Sequence, residues 1–158
     1  MDRQRDKKLR EQLVAHIHGG EAFTPVDAIM DKVTAEKAGV VPGKLPYSFY
    51  QQFYHLRFTQ YDILEFTRNS GYISPPWPKG YWPEQPAPEN KKKWREIKEA
   101  YVKERREFCE ILNSTHDLFQ PIPHGNGQTL LREALLVIEH TAYHTGQLHI
   151  ILRLLGKT

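Results

Sequence analysis

The sequence predicts an all-α fold, a four-helix bundle with a long crossover loop between the second and third main helices. Three observations carry this expectation. Four long stretches repeat their apolar residues every three or four positions, the period of a helix with one buried face. Residues that start or stop helices bound each stretch. Alternation of apolar and polar residues never persists beyond a few positions, so nothing asks for a strand. At 158 residues and 39% hydrophobic composition the chain can bury one proper core, and a single domain over 1–158 is expected.

The first main helix is expected from Arg3 to Ile17, where Leu9, Leu13 and Ile17 recur every four residues before Gly19-Gly20 ends the pattern. Thr24-Pro25-Val26-Asp27 offers an N-cap, a proline at the first helical position and an acid at the third. A short helical connecting arm should therefore run to Lys37, ahead of Gly39. After the irregular stretch 40–46, Ser48 and Gln51 match a capping box and open the second main helix, Phe49 to Arg68. Phe49, Phe53, Leu56, Ile63 and Leu64 form its apolar arc. His55 lies at the edge of that arc, on a more polar face with Gln51, Gln52, Thr59 and Asp62.

Residues 72–88 hold six prolines, two tryptophans and two tyrosines, too stiff for regular structure and too apolar for a free linker. Trp77, Tyr81 and Trp82 should bury against the bundle, against a second subunit or over a ligand. The third main helix, Asn90 to Asn113, shows a seam of Trp94, Ile97, Tyr101, Phe108 and Ile111. A loop with Pro121, Pro123, Gly125 and Gly127 leads to the last helix, Leu130 to Gly156.

Charge and cysteine content narrow the function classes. The balance of 22 basic and 19 acidic residues leaves a net charge of +3, and Lys91-Lys92-Lys93 is the only run of three basic residues. Such a run reads as a solvated helix start, so no nucleic-acid partner is expected. The single cysteine, Cys109, excludes an intramolecular disulfide, fits a reducing cytoplasm and reads as a small apolar residue. No segment reaches the roughly 18 apolar residues of a membrane span, and the first residues lead into polar helix. A cytoplasmic protein without a membrane partner is expected.

Chemistry concentrates on the last helix. At about 100° per residue, His140 and His144 lie one turn apart on a single face, whereas His149 points roughly 140° away from His144. Two neutral imidazoles suit zinc, nickel, copper or iron, yet they make only half a site. The same spacing also fits a solvated or core-edge pair, and spacing alone leaves both readings open. Burying two unpaired imidazoles costs about 1–3 kcal/mol each, so a partner or an ion is wanted. His55 is the natural third ligand. Imidazoles ligate only when neutral, so occupancy should fall below a pH of about 6.5. Glu133 two turns before His140, Asp62 two turns after His55, and Gln147 on the face of the pair are candidates for supporting a ligand or touching substrate, although Glu133 and Asp62 read more readily as ordinary polar residues at a helix end or surface. No catalytic base is identified.

Three segments carry a family likeness: Phe53-Tyr54-His55-Leu56-Arg57 with Tyr61-Asp62-Ile63-Leu64-Glu65-Phe66, the loop Ser74-Pro75-Pro76-Trp77-Pro78-Lys79-Gly80-Tyr81-Trp82-Pro83, and Gln128 to Leu135 running into His140-Thr141-Ala142-Tyr143-His144-Thr145-Gly146-Gln147-Leu148. Through them the chain resembles the DinB-like family of metal-binding four-helix bundles. The resemblance implies one ligand histidine on the second helix and an H-x-x-x-H pair on the last, which map onto His55, His140 and His144. Asparagine often follows the first histidine of the pair in related sequences; here Thr141 stands there. A three-histidine site with open positions is the catalytic kind of arrangement. The resemblance further implies a divalent cofactor such as zinc, nickel or iron. It also implies a reaction class, because the wider superfamily includes enzymes that transfer low-molecular-weight thiols such as bacillithiol or isomerise mycothiol adducts. The expectation is a metal-dependent thiol transferase or hydrolase that acts on a small molecule and forms a homodimer. The alternative is a non-catalytic metal-binding module for stress response or interaction.

Overall fold

Helices begin where a side chain satisfies the first free amides, and the computed structural model, which describes residues 2–156, shows this at each long helix. Asp2 accepts from Gln4 N at the head of α1 (Arg3–His18), which ends at Gly19 with φ +80°. Ser48 and Gln51 close the expected capping box on α4 (Phe49–Arg68). Asn90 caps α5 (Lys91–Ser114), and Thr129 caps α6 (Leu130–Leu154). Between α1 and α4 lie two short helices, α2 (Val26–Met30) and α3 (Ala35–Ala38). The described residues are thus all-helical, six helices with four of them long and no strand. None of these helices is long and apolar enough to cross a membrane.

The connecting arm differs from expectation. Pro25 occupies the cap position without a side-chain bond, Thr24 does not cap, and the expected continuous run breaks into α2 and α3. The Val33 carbonyl explains the break. It accepts from Trp94 Nε1 at 3.1 Å, and Thr34 turns its hydroxyl to the Lys37 amide to restart the helix. Nor is this stretch a mere arm, since Val26, Ile29, Met30, Val33 and Ala38 are buried in the core.

Helix α4 packs against α5 and α6, and α1 packs against the same two helices. One apolar cluster gathers Phe49, Phe53, Leu56, Trp94, Tyr101, Leu148 and Ile151; a second gathers Leu13, Ile17, Leu64, Phe108, Leu112, Leu118 and Val137. On α5 the buried seam passes from Phe108 to Leu112 and leaves the expected Ile111 half-buried. Cys109 is buried, and burial pushes its thiol up to about 11, which keeps it a neutral, apolar filler. Polar bonds fix the register of α5. Arg57 pairs with buried Glu104, Gln60 Nε2 donates to the Tyr101 carbonyl at 2.9 Å, and Arg105 grips Asp27 of α2 with two bonds of 2.7 and 3.1 Å.

Residues 69–90 cross from α4 to α5 through one 3-10 turn at Lys79–Tyr81. Both oxygens of Asp62 hold this segment down, accepting from Tyr72 at 2.9 Å and from Tyr81 at 2.7 Å. Ser48 Oγ adds a bond to the Pro86 carbonyl besides capping α4. Ser48→Ala should therefore cost at least the upper part of the usual N-cap range, about 1–2 kcal/mol, read as a lower urea midpoint at unchanged m-value. An unchanged midpoint would show that neither bond matters.

Candidate metal centre

The capping box sets the start of α4 and Thr129 that of α6, and these two helices share the largest contact in the chain. About three and four turns into α6 and about two turns into α4, they bring His140, His144 and His55 together. One ring nitrogen from each lies within 4.8 Å of the others. The Nε2 atoms of His55 and His140 are 3.2 Å apart, and the His140 and His144 rings are 4.2 Å apart. His55 is 2% exposed and His144 is buried, so the edge-of-core position read from the sequence is in fact interior. His140 remains half-buried.

Each fixed proton matters here, because an imidazole that donates from Nδ1 offers its Nε2 lone pair on the other side. His55 Nδ1 donates to the Tyr81 carbonyl at 3.2 Å, which turns Nε2 toward His140. His144 Nδ1 lies 3.1 Å from Gln147 Oε1 and also against Gln52 Nε2, which itself donates to Gln147 Oε1 at 2.5 Å. The indole of Trp82 lies flat on His55, ring centroids 4.1 Å apart and planes 5° apart; Trp77 stands 5.9 Å from the same imidazole but is 67% exposed, against the expected burial. The proline-aromatic segment therefore borders the cluster.

Burial governs the electrostatics. It is the largest cause of the fall of the His140 pKa to about 3, with His144 and His55 adding to it. Burial also brings His144 down to about 4 and lowers His55. All three rings are thus neutral donors at pH 7, the form that ligates a metal.

Of the remaining sequence candidates, Gln147 touches His144 directly. Asp62 acts at one remove: its partner Tyr81 presents the carbonyl that holds His55. Glu133 is buried but lies outside the cluster, paired with Arg132 at 2.7 Å along a cleft of about 250 Å³ shared with Asp62 and Gln128. His149 also lies outside the cluster. Sequence reasoning missed the role of Gln52, while Trp82 on His55 falls among the places left open for that side chain. Gln52 is fully buried and abuts His144 across the helix interface; its position three residues before His55 on one helix was the available signal. A backbone carbonyl from a loop, as at Tyr81, leaves no mark in a sequence.

Fold and site together define a class: an all-helical protein whose long helices converge on three neutral histidines, an arrangement compatible with metal binding. The sequence model of the DinB superfamily matches residues 22–148. The chain belongs to the DinB superfamily. Comparison with curated proteins and with solved structures gives no match.

Proposed function

We propose that His55, His140 and His144 hold a divalent metal ion and that the chain is a metal-dependent enzyme of thiol-transferase or hydrolase type acting on a small molecule. In this reading the four long helices form a four-helix bundle, with residues 69–90 as its crossover. The observation that carries the proposal is the convergence of three ring nitrogens within 4.8 Å, one of them aimed by the Tyr81 carbonyl. The donor set fits the group, since three neutral imidazoles suit zinc, nickel or iron and leave positions open. Bound there, such an ion supplies Lewis acidity that deprotonates a thiol or a water at neutral pH.

The chain's own residues prepare the site. The Tyr81 carbonyl holds the proton on Nδ1 of His55, Gln52 and Gln147 brace Nδ1 of His144, and Trp82 shields one face of His55 from water. Asp62 keeps Tyr81 in place. One observation favours the second reading, a metal-binding module without catalysis. Both acids singled out from the sequence are engaged, Asp62 by two tyrosine hydroxyls and Glu133 by Arg132.

The two readings separate in one experiment. Untagged protein loaded with zinc, nickel or iron(II) is incubated with cysteine, glutathione or bacillithiol and an electrophilic acceptor. Metal-dependent S-conjugate, or hydrolysis of an activated ester in the same series, is the expected result. Protein that binds one equivalent of ion and turns over none of these is the module of the second reading.

A further inference from the structure

Helix α6 has a second face, opposite the one it buries. Leu135, Tyr143, Ile150 and Leu154 are between 52% and 65% exposed along it. In the middle sits Gly146, a residue that weakens a helix interior relative to alanine. A Cβ built there meets nothing within 4 Å, so nothing inside the chain requires glycine. Ala142 lies one turn earlier on the same face, so α6 is thinnest at its centre.

Charge supplies the direction of pairing. Seven residues fall about 20° short of two full turns, which places Glu139, Gly146 and Arg153 on nearly one line along the helix. Glu139 and Arg153 are both exposed. Among the described residues neither takes part in an ion pair within the chain. A second copy of α6 laid antiparallel across Gly146 sets Glu139 against the partner subunit's Arg153, and by symmetry Arg153 against the partner subunit's Glu139. The same register sets Ala142 against the partner subunit's Ile150. A parallel pairing would instead oppose like charges.

We propose that this face is a twofold, antiparallel α6–α6 interface between two copies of the chain, crossing at Gly146 and fixed by two reciprocal Glu139–Arg153 pairs. Tyr143 lies at the edge of the interface and packs on His144 with ring centroids 4.9 Å apart, so the dimer flanks the histidine cluster without supplying a ligand to it. The inference goes beyond the metal reading and does not depend on it.

Sedimentation velocity from 5 to 500 µM tests the interface. Wild type is expected to approach twice the 18.5 kDa of the chain. Glu139→Arg and Arg153→Glu should each shift the midpoint of association at least tenfold upward in concentration. The double swap Glu139→Arg/Arg153→Glu should restore the wild-type midpoint, which a merely damaged fold would not do. Gly146→Leu should dissociate the dimer while the helical circular dichroism and thermal midpoint of the monomer are kept. A wild type that stays at 18.5 kDa throughout overturns the proposal. So does a dimer indifferent to the single reversals, or one lost in both and not regained in the swap.

Discussion

Replacing any one of His55, His140 and His144 by alanine should lower the affinity for zinc by more than a hundredfold. Residues that only support a ligand typically contribute 10–100-fold in metal affinity, so removal of a ligand itself should exceed that range. The two imidazoles left behind form the half-site that the sequence alone would give. The same argument ranks other variants. Gln147→Leu removes the amide oxygen beside His144 Nδ1 and should fall within the 10–100-fold range. His149→Ala should change nothing, because His149 lies outside the cluster. Competition with a chromophoric chelator measures each constant, and circular dichroism checks that the variant is folded. Equal affinities across the three ligand variants and wild type would sink the metal centre, whatever its chemistry.

Acid should unfold the metal-free protein earlier than its surface carboxylates alone would dictate. His140 and His144 are held near 3 and 4 in the folded chain, chiefly by burial, whereas an unfolded histidine titrates near 6.5. Between those values the unfolded chain binds protons that the folded chain refuses. Stability is therefore flat above about pH 6.5 and declines as pH falls from there toward 4. Surface acids such as Glu36, held near 2, add their loss only as pH falls from the ordinary carboxylate value of 4.5 toward 2, so the upper window belongs to histidines. His18, also lowered by burial, contributes to it. Urea midpoints of apo protein at pH 7.5, 6 and 5 should fall steadily. The double variant His140→Ala/His144→Ala should show a clearly shallower fall. Identical slopes would mean that the two rings are solvated. The same depression revises the expectation for loaded protein: protons compete for the folded ligands near pH 4 rather than 6.5, so metal content should hold at pH 5.5.

What could be read from the sequence followed the range of the interactions. Helix bounds are local, and Ser48 with Gln51 marked the start of α4 because a cap and its amides lie three residues apart. The convergence of His55 with His140 and His144 was legible through helical spacing and family likeness together. The break between α2 and α3 was not. It depends on a carbonyl claimed by Trp94, 61 residues away in the chain. The depth of His55 was hidden for a similar reason: Trp82 covers it from a segment without periodicity, and a polar helix face reads as solvent until something is laid across it.

The Tyr81 carbonyl has an evolutionary consequence. A loop that only walled a pocket could be exchanged freely among relatives, and substrate preference would drift while the helices kept the ion. In this chain the residue whose backbone orients one imidazole is itself anchored to Asp62 on α4, so a bound metal and a substrate preference would sit on one inherited unit. Grafting residues 72–88 from a relative without a matching tyrosine and aspartate should transplant neither trait cleanly: the chimera would change its preference among substrates and its grip on the ion in the same step. Natural diversification of this loop should then proceed by paired changes at positions 62 and 81, a signature that genetic covariation can reveal.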